Sequence, residues 1–223
     1  MVLLYVGAVL AVNGIWLIGQ ATAATRVSRA VAAEGQELAG EQVVAVTSRA
    51  QRSPLFIQNR EVAVLNIFTG FVGVVAAITL VVQGNKIGDL SSIRAAGLIL
   101  LFAFTYIWVS FNQFLNAGGR AFGWYCLFVA ITAIPAGVYT LQAANGNTAL
   151  IWLGIDWFAW AVLWGMFWAL LALELPIARI AGSVAILEGV GTSWALAIAI
   201  LEGKLAFLSA GSSCWRSSAS AVR

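Results

Sequence analysis

Apolar residues run along this chain in blocks of about twenty, parted by short polar or glycine-rich breaks, and about twenty helical residues is the length that crosses the hydrocarbon core of a bilayer. The blocks predict membrane helices over residues 1–19, 62–82, 93–115, 121–142, 149–173 and 183–208. The breaks are Gln83-Gly84-Asn85-Lys86, Asn116-Ala117-Gly118-Gly119-Arg120, Asn145-Gly146-Asn147, and Glu174 to Arg179 around Pro176. Connections this short make consecutive helices antiparallel neighbours, so the expected fold class is an all-α membrane protein, a compact bundle of six transmembrane helices. The first block has no charged segment before it and no small-residue cleavage site after it, and therefore reads as a retained helix and not as a signal peptide. Pro135, inside the fourth block, is expected to kink its helix or to end a half-helix there.

Two stretches break the pattern. Residues 21–60 carry Arg26, Arg29, Arg49, Arg52 and Arg60 with Glu34, Glu37 and Glu41 among small residues, and read as an extramembrane insert between the first two helices. A short amphipathic helix around 26–46 would lie on the membrane surface, although Gly35 and Gly40 interrupt its apolar face and favour a plain solvated loop. Residues 209–223 are serine-rich, without structure-forming pattern, and read as a disordered tail.

Composition sharpens this picture. Charged residues make up 9% of the chain against about a quarter in soluble domains, so the protein is polytopic. The net charge of +3 comes from basic residues scattered among loops and ends, with no basic stripe to hold a nucleic acid. Histidine is absent, which removes the commonest metal ligand and general base; neither an enzyme nor a metal or other cofactor is expected. Cys126 and Cys214 have no metal-binding spacing. Leaving out the tail, seven Lys and Arg fall in the first, third and fifth connections and three on the other side, which puts both termini away from the cytoplasm.

Inside the spans the informative residues are the polar ones, because each costs free energy unless it meets a partner or a hydrated path. They are Asn13, Asn66, Thr69, Tyr106, Asn112, Asp156 and Glu188. The asparagines suit interhelical hydrogen bonds. Asp156 belongs near the interface if the fifth helix starts later than residue 149. Glu188 has no intramembrane Lys or Arg to pair with, and three readings stay open: a structural hydrogen bond, a solute-positioning carboxylate, or a proton carrier. Between Asp156 and Trp168 the chain reads DWFAWAVLWGMFW, placing Trp157, Trp160, Trp164 and Trp168 on one helix face. At 1.5 Å per residue they cover about 16 Å, too much for one interfacial belt. Such a stripe either packs against lipid and core or walls a narrow path for a small uncharged polar solute. Gly7 and Gly14 in the first span and Gly182, Gly189 and Gly191 in the sixth allow close helix approach, which would let Leu3, Val6 and Leu10 line a passage opposite the tryptophans.

The segments LLYVGAVLAVNG at 3–14, AVLNIFTGFVG at 63–73, FTYIWVSFN at 104–112, WYCLFVAITAIPA at 124–136, WFAWAVLW at 157–164 and AILEG at 185–189, in this order and spacing, resemble the AmiS/UreI family of urea and short-chain amide channels. The resemblance implies a six-helix protomer with its own pore, assembled as a homohexameric ring around lipid in a bacterial inner membrane. It implies pore constrictions at Leu3, Val6, Leu10, Tyr106, Trp157, Trp160, Leu163 and Trp164, with Asn13 and Glu188 as a supporting polar pair. Acid-gated members of the family close through loop histidines and carboxylates; this chain has no histidine and no charge between Gln142 and Ile155, and so looks closer to the branch without acid gating. The insert replaces a tight turn of the family, which leaves room for a docked cytoplasmic amidase or urease, and the tail departs from the family's short apolar ending. The function so implied is passive permeation of urea or short-chain amides. Its alternatives are a proton-coupled amide carrier using Glu188, and a membrane anchor for a soluble amidase or urease.

Overall fold

The computed structural model describes residues 1–34, 45, 47–49 and 51–204. Among the described residues six helices are long and apolar enough to cross a membrane: α1 (Val2–Glu34), α2 (Asn59–Ile87), α3 (Leu90–Leu115), α4 (Arg120–Ala143), α5 (Thr148–Leu171) and α6 (Ala178–Leu201). They pack chiefly as pairs, α2 on α3, α4 on α5 and α1 on α6. The tail at 209–223 and most of the insert between Gly35 and Ala50 lie outside the described residues.

Local chemistry sets several of the helix ends. At the start of α2 the Gln58 N–H donates to the Glu61 carboxylate at 2.8 Å, completing a capping box. Gly88 ends that helix with a φ of 68°, a left-handed conformation that suits glycine. Asp89 then caps α3, accepting from the backbone N–H and hydroxyl of both Ser91 and Ser92. Those hydrogen bonds, the Ser91 hydroxyl foremost, hold its carboxyl down at about 2. Asn147 caps α5 through the Leu150 N–H, and an exposed Arg120–Glu174 ion pair ties the start of α4 to the end of α5.

The structure departs from the sequence reading in three places. The first helix does not end with its apolar block near Ile18 but continues to Glu34, 33 residues in all, or about 50 Å against the roughly 30 Å of a bilayer core. Its extension is held from outside: Arg179 donates to Thr25 Oγ1 at 2.8 Å, and the Gln20 amide donates to the Ile57 carbonyl at 3.0 Å. Part of the predicted 21–60 insert is therefore this helix running on. Pro135 sits inside an uninterrupted α4, which removes the half-helix end from the two expected outcomes and leaves the kink. Asp156 is not near an interface, because α5 begins at Thr148 and the side chain is only 4% exposed two turns in.

Two glycine contacts bring α1 and α6 together. A Cβ on Gly7 would come within 2.8 Å of the Gly189 carbonyl oxygen, and one on Gly182 within 2.7 Å of the Gly14 oxygen. Either methyl would push the backbones apart. At this crossing α6 widens into a π-helical turn over Gly189–Trp194.

Candidate functional site

The N-terminal part of α1, α3 from Ser91 to Tyr106, α5 from Leu150 to Trp164, the end of α4 and the middle of α2 converge on a cavity of about 680 Å³ that opens on the side of the chain's N-terminus. A second cavity of about 200 Å³ lies toward the opposite side, bordered by Asn13, Asn112, Phe122 and Phe167. Leu10, Tyr106 and Trp164 line both. These three side chains are buried and separate the two spaces, which makes them the neck of any route from one to the other.

All eight residues expected at constrictions line the larger cavity. Leu3, Val6 and Leu10 lie at steps of three and four along α1, one face of a helix. Trp157, Trp160, Leu163 and Trp164 face them from α5, and Tyr106 enters from α3. Trp168 leaves the stripe: it lines neither cavity, packs tilted against Trp124 with ring centroids 6.0 Å apart, and its indole N–H is buried without an acceptor among the described residues. Phe102 escaped the sequence reading. It lines the larger cavity with its ring 5.2 Å from Trp157, 5.3 Å from Trp160 and 5.8 Å from Trp164, so one phenyl group braces three indoles. Its position four residues before Tyr106 on the same helix face was the available signal.

Asn13 and Glu188 are not brought together as a hydrogen-bonded pair. The Asn13 amide donates to Asn66 Oδ1 at 3.0 Å and Asn66 returns the bond at 2.7 Å, with a further bond from Asn66 to the Val62 carbonyl at 2.8 Å. Glu188 lines neither cavity. It lies within electrostatic range of Asp156, and each of these carboxyls has one buried oxygen without a hydrogen-bond partner among the described residues.

The polar chemistry of the route is sparse. At the mouth of the larger cavity the Arg94 guanidinium lies 3.8 Å over the Tyr139 ring. Among the described residues no Asp or Glu lines either cavity. At the neck the Tyr106 hydroxyl is buried and has no hydrogen-bond partner among the described residues. One free hydroxyl between aromatic and aliphatic walls can replace part of the hydration of a small neutral solute, but offers nothing to offset the desolvation of an ion.

Comparison with known proteins agrees with this architecture. The AmiS/UreI family transporter profile matches residues 54–204. A Mycolicibacterium smegmatis protein described as an amidate-substrate transporter is 32% identical over 202 residues, covering 90% of this chain and 75% of its own length. The transporter protein AmiS2 of Rhodococcus erythropolis is 30% identical over 202 residues, 90% of this chain and 78% of that one. The cryo-electron microscopy structure of the Helicobacter pylori urea channel in its closed state superposes with a TM-score of 0.67 at 26% identity, over 90% of this chain and 95% of the channel. The relatives are transport proteins and not enzymes, and this six-helix, multi-pass membrane protein belongs to the AmiS/UreI family of urea and amide channels and transporters.

Proposed function

We propose that the chain is a passive, uncoupled channel for neutral planar amides, urea or a short-chain aliphatic amide, without proton gating. The observation that carries this reading is the neck: two cavities bounded by the same Leu10, Tyr106 and Trp164, with the Tyr106 hydroxyl as the free polar group between them. A flat solute passes in single file between indole and leucine faces, exchanging water for ring contacts and one hydrogen bond. Contacts this weak let the solute leave as easily as it enters, as conduction requires. The carboxyls of Asp156 and Glu188 lie off the two cavities, which speaks against a carrier that loads its proton beside the solute.

In this reading Leu3, Val6, Leu10, Tyr106, Trp157, Trp160, Leu163 and Trp164 form the pore wall. Asn13, which borders the smaller cavity, and Glu188, which stands behind the wall, support it. The protomer assembles as a homohexamer in a bacterial inner membrane, with both termini outside the cytoplasm and the arginine-bearing end of α1 inside. A soluble amidase or urease docked there would be an accessory: removing residues 36–50 is expected to leave amide flux intact, whereas loss of all transport would favour the anchor reading.

Stopped-flow light scattering of proteoliposomes challenged with urea, acetamide and glycerol at pH 5 and pH 7.5 tests the proposal. Fast amide flux at both pH values, well above glycerol, is the expected result. Flux no faster than in empty liposomes would remove the channel reading.

A further inference from the structure

Three tryptophans wall the larger cavity, Trp157, Trp160 and Trp164, and of their three N–H groups only that of Trp160 has a protein acceptor among the described residues. Its Nε1 donates to Thr192 Oγ1 at 2.9 Å. The Thr192 hydroxyl in turn donates to the Glu188 carbonyl at 2.6 Å, so its single proton is committed and a lone pair is left facing the indole. Both links stand on the π-helical turn Gly189–Trp194, wedged against α1 where a Cβ on Gly189 would come 2.9 Å from the Gly7 oxygen. Packing on α1 thus fixes the turn, the turn fixes Thr192, and Thr192 fixes the Trp160 ring. The ring also rests edge-on against Phe102 and Trp157, at 5.3 and 5.2 Å between centroids.

We propose that Thr192 is a positioning residue for the path: by taking the Trp160 N–H it holds the ring so that the wall presents carbon at this level, and thereby rejects hydroxyl-rich solutes such as polyols. The inference rests on the amide-channel reading. An amide brings one strong acceptor, which the Tyr106 hydroxyl can meet at the neck. A triol of similar size must shed water from three hydroxyls, and at the level of Trp160 the bonded ring returns none of them a hydrogen bond, so each hydroxyl left unmet there costs free energy. Releasing the indole would add a donor to the wall and free the ring to turn, and both changes help the polyol more than the amide.

The test compares glycerol and acetamide permeabilities in proteoliposomes for wild type, Thr192→Val, Thr192→Ser, Trp160→Phe and the Trp160→Phe/Thr192→Val double variant. Valine keeps the shape and removes the acceptor; serine keeps the acceptor. Thr192→Val is expected to raise the glycerol-to-acetamide ratio about fivefold, the worth of one net hydrogen bond, and Thr192→Ser to keep the wild-type ratio. In the Trp160→Phe background the valine change is expected to add nothing, because its partner is already gone. An unchanged ratio in Thr192→Val, or an equal shift in the Trp160→Phe background, would overturn the proposal. If the wild type carries no solute at all, the channel reading has failed, and the Raman signature of indole N–H hydrogen bonding still decides the contact. Loss of one bonded indole in Thr192→Val supports it, and an unchanged spectrum overturns it.

Discussion

The side-chain amides of Asn13 on α1 and Asn66 on α2 donate to each other across the bundle, at 3.0 and 2.7 Å. Each is buried, so each satisfies a group that lipid or core could not. Replacing either one alone by leucine strands its partner and is expected to cost about 1–3 kcal/mol of stability. The double leucine variant is expected to be less harmed than the sum of the singles, because no amide is left unpaired. Thermal unfolding in detergent of the two singles and the double measures this; strictly additive losses would show that the pair is not coupled.

At the neck, Tyr106→Phe removes one hydroxyl and nothing else. If that hydroxyl meets the solute carbonyl, amide permeability is expected to fall about fivefold with stability unchanged, as for one net hydrogen bond. Stopped-flow permeability beside a melting curve separates the two effects.

Trp164 borders both cavities, so Trp164→Ala is expected to join them into a wider passage. Glycerol should gain more than acetamide, whose molecules already fit. A variant with both permeabilities lowered in the same proportion would mean that the bundle had collapsed into the space.

Glu188 stands off the path, and Glu188→Gln, which keeps shape and hydrogen-bonding capacity, is expected to retain most of the amide flux. Glu188→Leu is expected to lose more. Equal and complete loss in both would place an ionisable group in the transport cycle and favour a proton-coupled carrier.

Asp89 titrates at about 2 in the fold, because four serine donors favour its charged form. A depressed carboxyl stabilises the folded state above its unfolded value, near 3.8, and loses that contribution as the pH falls through both values. Asp89→Ala is therefore expected to melt earlier than wild type at pH 7. The gap should persist at pH 5 and close as the pH drops from about 4 toward 2.

The six helices were legible because each is an apolar block near membrane length with a polar break after it. That Leu3, Val6 and Leu10 and the tryptophans would line one cavity was legible through their helical spacing, joined to a family resemblance. The extension of α1 was not: residues 21–34 are too polar for a span, yet Ala21, Ala23, Ala24, Ala30, Ala32 and Ala33 are strong helix formers, and no glycine or proline intervenes before Gly35. Hydropathy ends the span there, while propensity continues the helix. The partner of Asn13 was hidden for another reason. Asn66 lies 53 residues away on a different helix, and only the crossing of α1 and α2 selects it over Glu188. The π-helical turn has no pattern of its own in GVGTSW beyond two glycines, so the Trp160–Thr192 contact could be found only in three dimensions.

Uncoupled permeation is the claim on which the account turns, and accumulation tests it most directly. Proteoliposomes given radiolabelled acetamide and an imposed proton gradient are expected to fill quickly until the inner and outer concentrations match, along the same time course with or without the gradient. Uptake beyond the outer concentration that collapses with a protonophore would contradict the account and make the protein a proton-coupled carrier.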